Sequence, residues 1–184
     1  MKKSIYLFIA DGFEEVEALA PVDFLRRLNF DLKIIGIKSK NVVSSHDVKL
    51  VADNVLAAIE DMPDCLILPG GMPGASNLRD DERVINFVKK MFSENKLVCA
   101  ICAAPIVLEK AGILKGKKHT SHPSVKNTFS TSYYCDNRVI KDGNIITAKG
   151  PGTSFEFALV IAEALGVTNE AQKLFKEMFI LSDN

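Results

Sequence analysis

Lys96-Leu97-Val98-Cys99-Ala100-Ile101-Cys102-Ala103-Ala104-Pro105 is the stretch that decides the fold. An apolar run of strand character stops at Cys102, and a helix is expected at once, because a proline fits the first turn of a helix and not its interior. A strand that passes directly into a helix is the repeating unit of a parallel sheet covered by helices. Outward from this stretch the same rhythm recurs. The patterning predicts strands over Ser4–Ile9, Asp31–Ile37, Cys65–Leu68, Leu97–Ala100 and Asn144–Ala148. It predicts helices over Glu14–Leu28, Glu82–Glu94, Ala103–Ala111 and Ser154–Leu165. The strand ending at Leu68 runs into Pro69-Gly70-Gly71, a breaker that opens a loop where strands finish. Thr153-Ser154-Phe155-Glu156 reads as a capping box with Thr153 as N-cap, and Gly166 closes that helix. Lys141-Asp142-Gly143-Asn144 suits a hairpin turn, while the rest of 117–144 carries no clear period.

A chain of 184 residues fits one domain, 1–184, with enough length to bury a sizeable core. Acidic and basic residues cancel at 23 each, and no Lys/Arg-rich run supplies a nucleic-acid footprint. Ile5-Tyr6-Leu7-Phe8-Ile9-Ala10 after Met-Lys-Lys-Ser is too short for an export signal and meets Asp11 and three glutamates, so it reads as a first core strand. No stretch has the length of a membrane span. Four cysteines without export machinery imply reduced thiols and a cytoplasmic protein.

A thiol at position 102 would sit on the turn between strand and helix, the geometry of a nucleophile elbow, with Ala100, Ala103 and Ala104 as the small neighbours such a turn needs. There the unpaired helix N–H groups and the dipole favour the thiolate. A small buried hydrophobe is the competing reading of Cys102, and spacing alone does not separate the two. Cys99 and Cys102 also spell Cys-x-x-Cys, yet Cys99 lies inside the strand, unlike a thioredoxin-type pair. Zinc would want a second pair, and only the separated Cys65 and Cys135 remain. Cys65 reads as core. Proton partners are sought among His46, His119 and His122, of which His122 is constrained by Pro123 behind it. Any of the three fits an ordinary surface position.

Asp11-Gly12-Phe13-Glu14-Glu15-Val16-Glu17 sets three glutamates in a first helical turn, where acidic side chains suit the macrodipole. Glu17 also shares a helical face with Phe13, Ala20 and Phe24. A carboxyl buried there should hold its proton and could donate a hydrogen bond to a nearby thiolate. Glu14 has Pro21 and Leu25 on its own side, so wheel geometry leaves both open.

Taken together, these segments resemble the ThiJ/PfpI superfamily, in its branch containing the Parkinson-disease-associated deglycase. The resemblance covers essentially the whole chain. It is carried by Asp11–Glu17, Pro21-Val22-Asp23 with Arg26-Arg27, Leu68–Gly71, Ala100–Pro105, Thr120-Ser121-His122-Pro123 and Gly150-Pro151-Gly152-Thr153-Ser154-Phe155-Glu156-Phe157. It implies an α/β, flavodoxin-like three-layer sandwich with a mostly parallel sheet, and a homodimer. It implies Cys102 as nucleophile, Glu17 as the acid beside it, and His122 at the family's active-site histidine. It further implies Gly70, with the Gly71 and Ala103 N–H groups, around the reacting oxygen, Gly150 and Pro151 lining the pocket, and Arg27 nearby. His46 stands where some relatives carry arginine, which breaks an anion pocket built on two arginines.

The activity implied is a cysteine-dependent glyoxalase or deglycase, acting without metal or organic cofactor on 2-oxoaldehydes or their early adducts on proteins and nucleotides. The same residues would serve a redox sensor or redox-regulated chaperone. Peptidase or amidotransferase chemistry ranks last, since it wants an aligned triad or a synthase domain.

Overall fold

Ile5, Leu7 and Ile9 pack into one apolar cluster and Tyr6 and Phe8 into another, so the first strand is buried on both faces and must be central. The computed structural model describes residues 2–180; Met1 and 181–184, the two ends of the expected domain, lie outside the described residues. In chain order come β1 (Ser4–Ile9), α1 (Glu15–Arg27), β2 (Asp31–Gly36), a hairpin of β3 (Asn41–Val43) and β4 (Lys49–Val51), and β5 (Asn54–Val55). Next are β6 (Cys65–Leu68), α2 (Gly74–Arg79), α3 (Glu82–Ser93), β7 (Leu97–Ile101) and α4 (Pro105–Lys110). The chain continues through β8 (Lys118–His119), β9 (Tyr133–Tyr134), β10 (Val139–Asp142), β11 (Ile145–Ala148), α5 (Ser154–Ala164) and α6 (Thr168–Glu177).

Seven strands form one sheet in the order β10-β11-β7-β6-β1-β2-β5, parallel throughout except for β10. Phe24 and Leu25 of α1, Phe157 and Ile161 of α5 and Phe175 of α6 cover one face. Leu78 of α2, Val84, Ile85 and Val88 of α3 and Ile106 of α4 cover the other. The result is the expected flavodoxin-like three-layer α/β sandwich. From β1 the chain moves outward to β2 and β5, then crosses back to β6 on β1's other side. That reversal leaves a crevice at the carboxyl ends of β1, β6 and β7, where open α/β sheets bind ligands.

The five expected strands and four expected helices are present with ends shifted by one or two residues. The helix after Cys102 begins at Pro105 rather than Ala103, because residues 102–104 form the turn itself. The Lys141–Asn144 hairpin forms, with Asp142 paired to Ile145 and Gly143 at φ +63°. The capping box at Thr153 does not form. A 3-10 turn over Pro151–Thr153 precedes α5, the Thr153 hydroxyl closes it by donating to Gly150 O at 2.7 Å, and Glu156 instead takes Arg138 at 2.7 Å. The β3–β4 hairpin, β5, α2, β8, β9 and α6 were not expected; most are too short to show a period.

Candidate active site

Three adjacent strands deliver the site. β7 ends at Ile101, and Cys102 follows in the left-handed region at φ +63°, a conformation that costs a non-glycine residue roughly 1–2 kcal/mol. The surroundings hold it there. Its N–H donates to Ala148 O at 2.9 Å, and its carbonyl accepts the His122 N–H at 2.8 Å. β6 ends at Leu68 and passes into Gly70 and Gly71, the latter at φ +83°. β1 leads into α1, whose N-cap is Glu14, its carboxylate accepting the Glu17 N–H at 2.7 Å.

Glu17 is fully buried, as its helical face suggested. Its Oε2 accepts the Gly70 N–H at 2.8 Å, while Oε1 is buried without a partner of good hydrogen-bond geometry. Burial raises its pKa from the ordinary 4.5 to about 7, against the opposing pull of the Cys102 thiol and the Gly70 amide. Gly70 is the joint that lets the groups meet: a methyl there would lie 2.6 Å from Glu17 Oε2, 2.8 Å from Cys102 Cβ and 2.9 Å from Ala103 N.

The amides at the helix end favour the thiolate as expected, but the packing around them works the other way. Burial pushes the Cys102 thiol up, and the Glu17 charge and hydrogen bond push it further, while the Ala103 and Gly71 amides pull it down. Protonating Glu17 removes the charge and turns its hydrogen bond into one that favours the thiolate. The protonation of Cys102 and that of Glu17 therefore depend on each other, and the Ala103 and Gly71 amides favour the thiolate.

The remaining expected residues fall into place around this pair or away from it. His122 is exposed; its Nδ1 takes the Ser124 N–H at 3.2 Å and the Ser124 Oγ at 2.8 Å, and no hydrogen bond joins its ring to the thiol. A methyl on Gly150 would lie 3.8 Å from His122 Cδ2. Pro151 lines a cleft of ≈ 280 Å³ with Val16, Arg138 and Phe155, whose lining does not include Cys102. Arg27 bonds Asp23 one turn back on the surface of α1, and no bond carries it to the site. His46 pairs with Glu15 at 2.9 Å. Among the described residues, Glu14, Glu15 and His46 bring candidate metal-ligand atoms within 4.8 Å of one another. His119 is buried between Phe129 and Tyr134, its pKa lowered by burial and its ring nitrogens unpartnered. Cys99 faces Cys65 across the sheet, Sγ to Sγ 3.7 Å, rather than Cys102. Ser124 is the site residue that sequence reasoning missed; its position two residues after a histidine, as in a cap, was the available signal.

Residues 3–164 match the DJ-1/PfpI family. The chain belongs to that family. The similarity extends over full-length relatives. The Drosophila melanogaster protein dj-1beta is 39% identical over 184 residues, covering 98% of each chain, and the crystal structure of Drosophila DJ-1beta matches with a TM-score of 0.95. A protein named as a deglycase from Pyrococcus abyssi is 31% identical over 151 residues, covering 80% of this chain and 90% of its own. The structure of an oxidized Toxoplasma gondii DJ-1 is similar at 31% identity and a TM-score of 0.93, covering 98% of this chain and all of that one. Within the DJ-1/PfpI family this chain thus stands close to proteins named for DJ-1 and, more distantly, to one named for deglycation. No described helix is long and apolar enough to cross a membrane.

Proposed function

We propose that the chain is a cofactor-free glyoxalase or deglycase acting on 2-oxoaldehydes, free or as early adducts on protein and nucleotide amines and thiols. The observation that carries this reading is the buried Glu17 carboxyl against Cys102, with the Gly71 and Ala103 amides directed at the same sulfur. Glu17 takes the thiol proton as the sulfur attacks the aldehyde carbon and passes it to the new C–O⁻, which leaves a hemithioacetal and a free Glu17 carboxylate. The Gly71 and Ala103 amides, which pull the thiol pKa down, are the donors that would hold that oxygen as charge develops. Glu17, with its pKa near neutrality, then removes the proton from C1 and returns it to C2 while the C1 hydroxyl proton passes to the C2 oxygen, turning the hemithioacetal into a 2-hydroxyacyl thioester. Water hydrolyses the thioester to the 2-hydroxy acid and frees the thiol. No oxidant or reductant is consumed. Four free cysteines support a reducing, cytoplasmic setting.

The exposed apolar side chains Val16 and Leu19 of α1, beside Val43, Val48 and Val51 of the β3–β4 region, support a homodimer, since the Gly12 N–H to Val43 O bond holds the hairpin against the start of α1.

Lactate formation from methylglyoxal in thiol-free buffer tests the reaction. Wild type should give lactate, Cys102→Ala none, and Glu17→Gln at least about 100-fold less. A folded wild type that makes no lactate would leave a redox sensor as the better reading. The site favours that second reading in one respect: a sulfinate at Cys102, formed from two peroxides with loss of two waters, would accept bonds from protonated Glu17 and both amides.

A further inference from the structure

His122 caps the 3-10 helix Pro123–Thr128 with its own ring, and the donor that enters the cap settles which ring nitrogen carries hydrogen. The Ser124 backbone N–H points at Nδ1 at 3.2 Å, and a backbone amide can only donate. Nδ1 is thus an acceptor. The Ser124 hydroxyl, 2.8 Å from the same nitrogen, could face either tautomer alone, but beside the amide it can only donate as well. A neutral ring held this way carries its hydrogen on Nε2. Among the described residues no group bonds Nε2, the ring is exposed, and its Cδ2 side faces Gly150. The His122 N–H to Cys102 O bond ties this histidine to the nucleophile turn.

We infer that Ser124 is a positioning residue that locks His122 as an Nε2–H donor at the mouth of the site, where it recognises the ketone oxygen next to the aldehyde carbon that Cys102 attacks. A nitrogen bearing hydrogen has no lone pair for the thiol or hydroxyl proton, so proton transfer stays with Glu17. The donor's place is specificity: it distinguishes 2-oxoaldehydes, which offer a second carbonyl oxygen, from simple aldehydes, which do not. The tautomer stands on the hydrogen bonds alone, whereas the role toward substrate rests on the glyoxalase reading.

The test uses the full-length protein labelled with ¹⁵N-histidine, with long-range ¹H–¹⁵N spectra recorded at a pH where the imidazoles are neutral and His122 assigned by its loss in His122→Gln. The wild type should show Nε2 as the hydrogen-bearing nitrogen and Nδ1 as the bare one. Ser124→Ala keeps the backbone donor and loses the hydroxyl, so Nδ1 should stay bare but its ¹⁵N resonance should shift as its shorter hydrogen bond is lost, and the less firmly held ring should raise KM for methylglyoxal about three- to tenfold with kcat little changed, the size of one lost hydrogen bond. Ser124→Thr should restore both readouts. Hydrogen on Nδ1 in the wild type would overturn the inference, and so would a Ser124→Ala spectrum identical to wild type. A correct spectral response in an enzyme that makes no lactate would sink the glyoxalase reading and the substrate role with it, while leaving the lock standing.

Discussion

Glu17 is the residue on which charge, burial and chemistry meet. Its folded-state pKa of about 7 lies above the ordinary 4.5, so the folded protein binds this proton more tightly than the unfolded chain does. The sign follows directly: the contribution to stability is complete below pH 4.5 and is lost as pH rises toward and through 7. The difference is worth ~3 kcal/mol. Glu17→Gln keeps an acceptor for the Gly70 amide and removes the titration. Urea denaturation across this range should therefore find the variant gaining on wild type as pH rises, with the gap levelling off above neutrality. A gap that stays constant with pH would mean that Glu17 titrates normally. The helix wheel left Glu14 and Glu17 both open; both prove to matter, but differently. Glu14 is the N-cap and Glu17 the buried acid, because the cap bond from the Glu17 N–H turns Glu14 back over its own helix end. The Thr153–Glu156 pair shows the opposite case, where a local motif gives way to a partner, Arg138, that spacing does not reveal.

Among the elements, the turns at the strand ends carry the site more than the strands do. Gly70 ends up where any side chain would press on Glu17, Cys102 and the Ala103 amide at once. Gly70→Ala should cost ~1–3 kcal/mol of stability, as overpacking of a rigid site does, and abolish lactate formation. Chemical denaturation and the lactate assay read the two effects. A variant of full stability and activity would show that the loop yields and that the close approach is not needed. The Pro69-Gly70-Gly71 breaker was legible as a loop; that Gly70 had to be glycine because two other strand ends converge on it was not. Likewise the strand-to-helix turn at Cys102 was legible from Pro105 and the alanines, whereas the effects that oppose the helix-end amides at its thiol were not. Helix-end amides are a local effect and can be read from order along the chain, but the desolvation and the Glu17 charge come from elements 32 to 85 residues away.

At the scale of the molecule, the sheet reversal between β1 and β6 gathers the site, and the exposed Val16 and Leu19 of α1 with the valines of the β3–β4 region give the surface that the proposed dimer would bury. A stable dimer needs about 1,200–2,000 Å² of total buried area, and a charge in its centre is poorly tolerated. Light scattering coupled to size exclusion should report a dimer for wild type, and Val51→Asp should weaken association by at least about 100-fold. A monomeric wild type, or a Val51→Asp protein as dimeric as wild type, would remove this face as the interface. The sequence by itself determined the class of the fold, five of the seven strands of the sheet and the strand-to-helix turn at Cys102, because periodicity, breakers and caps are written within a few residues of one another. Only the tertiary structure decided which glutamate is buried against the sulfur and that Cys99 faces Cys65. Those are contacts between segments far apart in the chain, and their energies depend on desolvation, which no local pattern encodes.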